Sequence, residues 1–203
     1  FKAVMAHCES DYRYAKMGIP KTELEGKTLG LIGTGNIGKL VAKKAALGFD
    51  MKVVAYDPFA RELPDYIQLT EDRDEVFRCA DYVSLHVPAT KDTVHSISDH
   101  EFDLMKESAF LINTSRGKIV DEAALIRALE AKKIAGAGLD VVEPFDLKNP
   151  LLNMENVLVA PHIGGATKEA STRSSLACAQ AIDDFFSGRT PKFIVPELRD
   201  LIG

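Results

Sequence analysis

Residues 27–38 read Lys27-Thr28-Leu29-Gly30-Leu31-Ile32-Gly33-Thr34-Gly35-Asn36-Ile37-Gly38, a β-rich apolar run that meets three spaced glycines. No other stretch of the chain restricts its fold so strongly. Gly33 permits a sharp strand-to-helix turn, Gly35 lets backbone approach a pyrophosphate, and Gly38 lets the helix lie close on the strand. The helix opening at Asn36 aims its free N–H groups and positive dipole end at phosphates, so Asn36 and Ile37 bind through backbone. A second apolar run, 51–56, delivers Asp57 roughly 20 residues past the turn, where a carboxylate accepts a hydrogen bond from an adenosine ribose 2′-hydroxyl. The same charge repels a 2′-phosphate. With no arginine or lysine directly after Asp57, though Arg61 is near, the cofactor reading is NAD rather than NADP.

The remainder alternates two kinds of segment. Strands are predicted over 28–32, 53–56, 82–86, 109–113, 135–140 and 157–160, mostly as unbroken apolar runs suited to parallel strands covered on both faces. Helices are predicted over 1–16, 36–47, 71–79, 99–105, 121–131 and 167–187. Ser98 with Glu101 forms a capping box, Asp121 is an N-cap, and Gly188 stands where a C-cap glycine belongs. This pattern specifies an α/β fold, a doubly wound parallel sheet of Rossmann type, whose ligands sit beyond the carboxyl ends of the strands.

Composition narrows the classes. The 203 residues are 46% apolar, enough for a substantial core, and no apolar run is long enough to cross a bilayer. The net charge of −5 is scattered, which argues against nucleic acid and membrane surfaces as partners. Cys8, Cys79 and Cys178 have no paired spacing, so neither a metal site nor a disulfide is expected, and a cytoplasmic, reduced protein is. The opening Phe1-Lys2-Ala3-Val4 has no leader character and reads as the middle of a longer polypeptide.

The residues just after the strands carry the chemistry. His86-Val87-Pro88-Ala89-Thr90, Ile112-Asn113-Thr114-Ser115-Arg116-Gly117, Gly138-Leu139-Asp140-Val141-Val142 and Pro161-His162-Ile163-Gly164-Gly165-Ala166-Thr167 follow in that order. Arg116 is a cation able to hold a carboxylate by two hydrogen bonds, and His162 is a proton carrier with a useful range. His7, His95 and His100 lack such a setting and are read as surface residues, and His86 as a backbone contributor.

In this order after the glycine turn, these segments resemble the D-isomer-specific 2-hydroxyacid dehydrogenases, and the stretch from His162 to Ala170 is similar to the 3-phosphoglycerate-specific members. The resemblance implies hydride transfer between NAD and a D-2-hydroxy acid, with Arg116 holding the substrate and His162 as acid/base. It implies that Asp140 meets the nicotinamide carboxamide, and that Thr114, Ser115, Arg116, His162, Gly164 and Gly165 reach the cofactor on that side. Pro88 and Thr90 would flank ribose and phosphates, and Val87 and Ile37 would wall the cofactor. Members of the family orient the histidine with a glutamate, but the matching position here is Phe145. Glu143, two residues earlier, is the substitute expected, with Asp146 as the fallback. The resemblance further implies a homodimer, a lead-in segment (1–22), an NAD-binding domain (23–192) and a return segment (193–203) toward a substrate-binding domain. The substrate expected first is 3-phospho-D-glycerate; the rival readings are a dehydrogenase for glycerate, hydroxypyruvate or lactate, a nucleotide-sensing corepressor on the same fold, and a related hydrolase or formate dehydrogenase with the same cofactor domain.

Overall fold

The computed structural model describes residues 22–143 and 146–194. The first predicted helix, His7, Cys8 and the end of the return segment lie outside those residues, as do Pro144 and Phe145. By internal packing the chain divides into two compact units, one through Pro161 and one from His162.

In the first unit the apolar runs become β1 (Thr28–Ile32), β2 (Lys52–Tyr56), β4 (Tyr82–Leu85), β5 (Phe110–Asn113), β6 (Gly136–Leu139) and β7 (Val157–Val159). A two-residue β3 (Gln68–Leu69) adds an edge that the sequence did not announce, because both residues are exposed and form no apolar run. All seven pair in parallel, in the order β3-β2-β1-β4-β5-β6-β7. The helices are α1 (Asn36–Phe49), α2 (Arg73–Cys79), α3 (Asp99–Leu104) and α4 (Glu122–Glu130), with short 3₁₀ turns at Gly117–Ile119 and Pro150–Asn153.

Strand alternation sends side chains to two separate cores. Leu29, Leu31, Val53 and Ala55 pack with Ala42 and Ala45 of α1. Ile32 and Val54 point the other way, to Val76 and Phe77 of α2, Phe102 of α3 and Leu125 and Leu129 of α4. Both faces of the sheet are covered, as a doubly wound fold requires. Burying a side chain such as Phe77 or Phe102, both essentially inaccessible, contributes about 2–3 kcal/mol.

Local signals decide the helix ends. Asp72 and Asp121 accept the Asp74 and Ala124 N–H groups as N-caps. In the capping box Glu101 accepts from the Ser98 N–H at 2.8 Å. Only 5% exposed, that carboxylate also takes the Arg73 guanidinium at 2.8 Å, and Arg73 donates as well to the Ser96 carbonyl.

The second unit contains α5 (Lys168–Phe186). Thr167 caps it, its hydroxyl accepting from the Ala170 N–H at 3.1 Å. At the far end Gly188 adopts a left-handed φ of 69° and donates to Phe185, the conformation that favours glycine after a helix. Among the described residues no helix is long and apolar enough to cross a membrane.

Candidate active site

Register aligns the strand ends. Ile32 pairs with Tyr56 and with Leu85, Leu85 with Asn113, and Asn113 with Leu139. The next residues, Gly33, Asp57, His86, Thr114 and Asp140, therefore leave the sheet at one level along its carboxyl edge. Strand order reverses between β1 and β4, and this is where such sheets bind ligands.

The glycine turn is built as its spacing requires. Gly33 has φ 95°, and a Cβ there would lie 2.7 Å from the His86 carbonyl oxygen. A Cβ on Gly38 would lie 2.3 Å from the Gly33 carbonyl oxygen, so α1 sits directly on the turn. Around Gly35, in contrast, nothing lies within 4 Å of that position. Gly35 is also the N-cap of α1 and has no side-chain cap, and no acidic residue stands in the first turn. A helix whose own first turn carries no acid, reached past an open glycine, suits a diphosphate. Ile37 is 63% exposed in that first turn, an apolar surface available to a cofactor.

Asp57 is anchored toward the same turn. One carboxylate oxygen accepts from the Thr34 N–H at 2.7 Å and the Thr34 hydroxyl at 2.9 Å, and the other from the Phe59 N–H at 2.9 Å. Partial burial pushes its pKa up, but these donors and the Lys39 charge outweigh it and hold the group below the usual carboxylate range. It is a fixed anion beside the glycine turn. Thr34 joins the site through a hydroxyl that meets a carboxylate 23 positions away, a pairing that residue type alone does not mark.

His86 contributes its carbonyl to the floor of the turn. Its imidazole is half-buried, with Nε2 2.9 Å from the Ser84 hydroxyl, and burial lowers its pKa to about 4. Val87 packs partly against the larger core as well as against Gly33, so its wall is shared with structure. Pro88 and Thr90 lie in an exposed loop closed by Thr93, whose hydroxyl meets the Pro88 carbonyl at 2.5 Å and the Thr90 N–H at 2.7 Å.

Beyond β5 and β6 a second group converges. The Ser115 N–H and hydroxyl both bond the Asn113 side-chain oxygen, at 3.0 and 2.8 Å. Arg116 is exposed with extended backbone and donates to the Ser115 carbonyl at 2.7 Å. A Cβ on Gly117 would lie 2.7 Å from the Glu143 nitrogen and 3.0 Å from its Cβ. Glu143, brought by the segment after β6, therefore lies against the residue next to Arg116. Asp140, 8% exposed, donates its N–H to the Asn113 carbonyl at 2.9 Å. Asp146 is exposed and caps its own turn, accepting from the Lys148 N–H at 2.9 Å.

His162, Gly164 and Gly165 belong to the second unit. His162 holds a left-handed φ of 53°, uncommon for a residue with a side chain and a conformation of the kind kept at functional sites. The Ile163–Ala166 and Gly165–Thr167 hydrogen bonds, both 3.0 Å, carry this turn into the cap of α5.

Comparison with known proteins agrees with this geometry. The family described as D-isomer specific 2-hydroxyacid dehydrogenase, NAD binding domain, matches residues 4–164. A glyoxylate reductase of Thermococcus litoralis is 45% identical over 85% of this chain and 53% of its own length. A D-3-phosphoglycerate dehydrogenase of Archaeoglobus fulgidus is 42% identical over 85% of this chain and 33% of its own. The crystal structure of D-lactate dehydrogenase with NAD⁺ from Lactobacillus jensenii superposes with a TM-score of 0.80 at 35% identity, covering 87% of this chain and 57% of that one. The chain thus spans about half, or less, of the length of the relatives it matches.

Proposed function

The chain belongs to the D-isomer specific 2-hydroxyacid dehydrogenases as their NAD-binding domain, and from that premise we propose that the full-length protein interconverts a small D-2-hydroxy acid and its 2-keto acid. The observation that carries this reading is the packing of Glu143 against Gly117, next to Arg116, on the edge that also bears the glycine turn and Asp57.

In this reading Gly33, Gly35, Gly38 and the first turn of α1 hold the diphosphate, Asp57 the adenosine ribose, and Asp140 with Thr114 and Ser115 the nicotinamide side. Bound NAD supplies a hydride acceptor at C4 of its nicotinamide. Arg116 grips the substrate carboxylate and polarises the C2 oxygen. His162 takes the hydroxyl proton as the C2 hydride departs and returns it in the reverse direction. Glu143 is the acid assigned to orient His162, in place of the Phe145 position and ahead of Asp146, whose carboxylate is committed to its own turn.

Relatives named for glyoxylate and for 3-phosphoglycerate are nearly equally similar, so the substrate to favour is set by assay. The similarity of the His162–Ala170 stretch supports 3-phosphoglycerate as the first compound to try. The test is NADH formation or consumption by the full-length protein with 3-phosphoglycerate, D-glycerate, D-lactate and glyoxylate, with and without His162→Ala. A rate with one of these that the variant loses supports the reading. Tight NADH binding with no turnover of any of them replaces it with a nucleotide-sensing module. We also infer a homodimer and the 1–22, 23–192 and 193–203 division, supported by the family resemblance; a monomeric mass in solution would remove the dimer.

A further inference from the structure

Asn113 ends β5, is 1% exposed, and has both ends of its carboxamide committed to the loop that follows. Its oxygen takes the Ser115 N–H and hydroxyl, which is all that a turn of this kind requires. Its nitrogen makes an additional bond, donating to the Arg116 carbonyl at 2.9 Å. That bond fixes the peptide plane joining Arg116 to Gly117. On one side of the plane stands the guanidinium-bearing residue, extended at φ −140° and ψ 139°. On the other stands Gly117, in close contact with the Glu143 backbone. Aspartate would serve the turn as well and serine more weakly, and neither has the carboxamide N–H that reaches the Arg116 carbonyl.

We propose that Asn113 is a positioning residue, whose carboxamide N–H sets the Arg116–Gly117 peptide and through it the placement of the Arg116 cation toward a substrate carboxylate. This rests on the reading of Arg116 as the substrate-binding cation. A buried donor holding a loop cation is pre-organisation: the cation is in place before the acid arrives, and a displacement of about 1 Å costs up to about 100-fold in rate.

The experiment uses the full-length protein reducing, with NADH, the keto acid of whichever substrate the assay above identifies. Asn113→Asp and Asn113→Ser are each made alone and together with Arg116→Ala. Either variant alone is expected to lower kcat/KM about 10–100-fold, with KM for the keto acid rising more than kcat falls. The Kd for NADH, read by fluorescence titration, is expected to stay within about threefold, and the loss to disappear in the Arg116→Ala background. A loss that persists undiminished in that background, or a matching loss of NADH affinity, overturns the proposal and leaves Arg116 in its role. If both Asn113 variants fail to fold, Asn113 is a stability residue and the proposal falls. An Arg116→Ala protein with unchanged kcat/KM overturns the reading of Arg116 itself, and this proposal with it.

Discussion

At the residue scale, Asp57 and His86 show how far a side chain's chemistry is set by what surrounds it. Asp57 was legible from spacing alone, but its tie to Thr34 was not, because a hydroxyl that meets a carboxylate 23 positions away leaves no local trace. That tie makes Asp57 part of the turn, besides the ribose-binding role proposed for it. Asp57→Ala is therefore expected to weaken NAD binding and to lower the NAD-over-NADP preference about tenfold or more, since the anion that repels a 2′-phosphate is gone. Parallel titrations with both nucleotides check this, and an unchanged ratio removes Asp57 from the site. His86 carries a pH signature. Unfolded, it takes a proton near pH 6.5, whereas in the folded chain burial delays protonation to about 4. Below pH 6.5 the unfolded state thus binds the extra proton. Stability is full above that pH and falls progressively down to about 4, by at most about 3 kcal/mol. Urea midpoints at pH 7 and 4.5 should move further apart for the wild type than for His86→Gln; equal shifts would show that the ring does not govern this window.

At the scale of elements, the six longer strands and α1–α5 stand where periodicity and caps put them, with ends moved by a residue or two. The exception, β3, is an exposed edge with only two residues, and the 3₁₀ turns lack any repeating pattern by which to find them. Glycine spacing foretold a turn, but the structure separates the glycines by role. Gly38 is needed for packing, since a Cβ would meet the Gly33 carbonyl at 2.3 Å, whereas Gly35 faces open space. Gly38→Ala is expected to cost about 1–3 kcal/mol by overpacking and to weaken nucleotide binding as well. Gly35→Ala should cost less, up to about 1 kcal/mol, because alanine is a poorer N-cap than glycine but its Cβ meets nothing, yet lower NAD affinity about tenfold or more. Thermal unfolding alongside NADH fluorescence distinguishes the two. A Gly35→Ala protein that binds NAD normally would place the diphosphate elsewhere.

At the scale of the whole molecule, sheet register brings Gly33, Asp57, His86, Thr114 and Asp140 to one edge from five strands spread over more than a hundred positions. Sequence order shows that each follows a strand; only the pairing shows that they are level. Asn113 and Gly117 stayed hidden for the same reason, since what distinguishes them is contact with Arg116 and Glu143 rather than residue type. Thr90, Thr114 and Arg116 on that edge are exposed. A carboxylate held by an exposed arginine competes with water, and hydride transfer benefits from a site that excludes it. The match spans 53% of one relative and 33% of another, so both carry residues beyond the matched region. The 203-residue chain expressed alone is accordingly expected to bind NADH, because the turn, α1 and Asp57 are all within it. It should turn over the substrate identified for the full-length protein at less than about one-hundredth of the full-length rate, given what a loosely held substrate loses. Fluorescence titration and NADH oxidation, run on the two proteins side by side, decide the matter. Full activity from the chain alone would mean that the edge described here is already a complete active site.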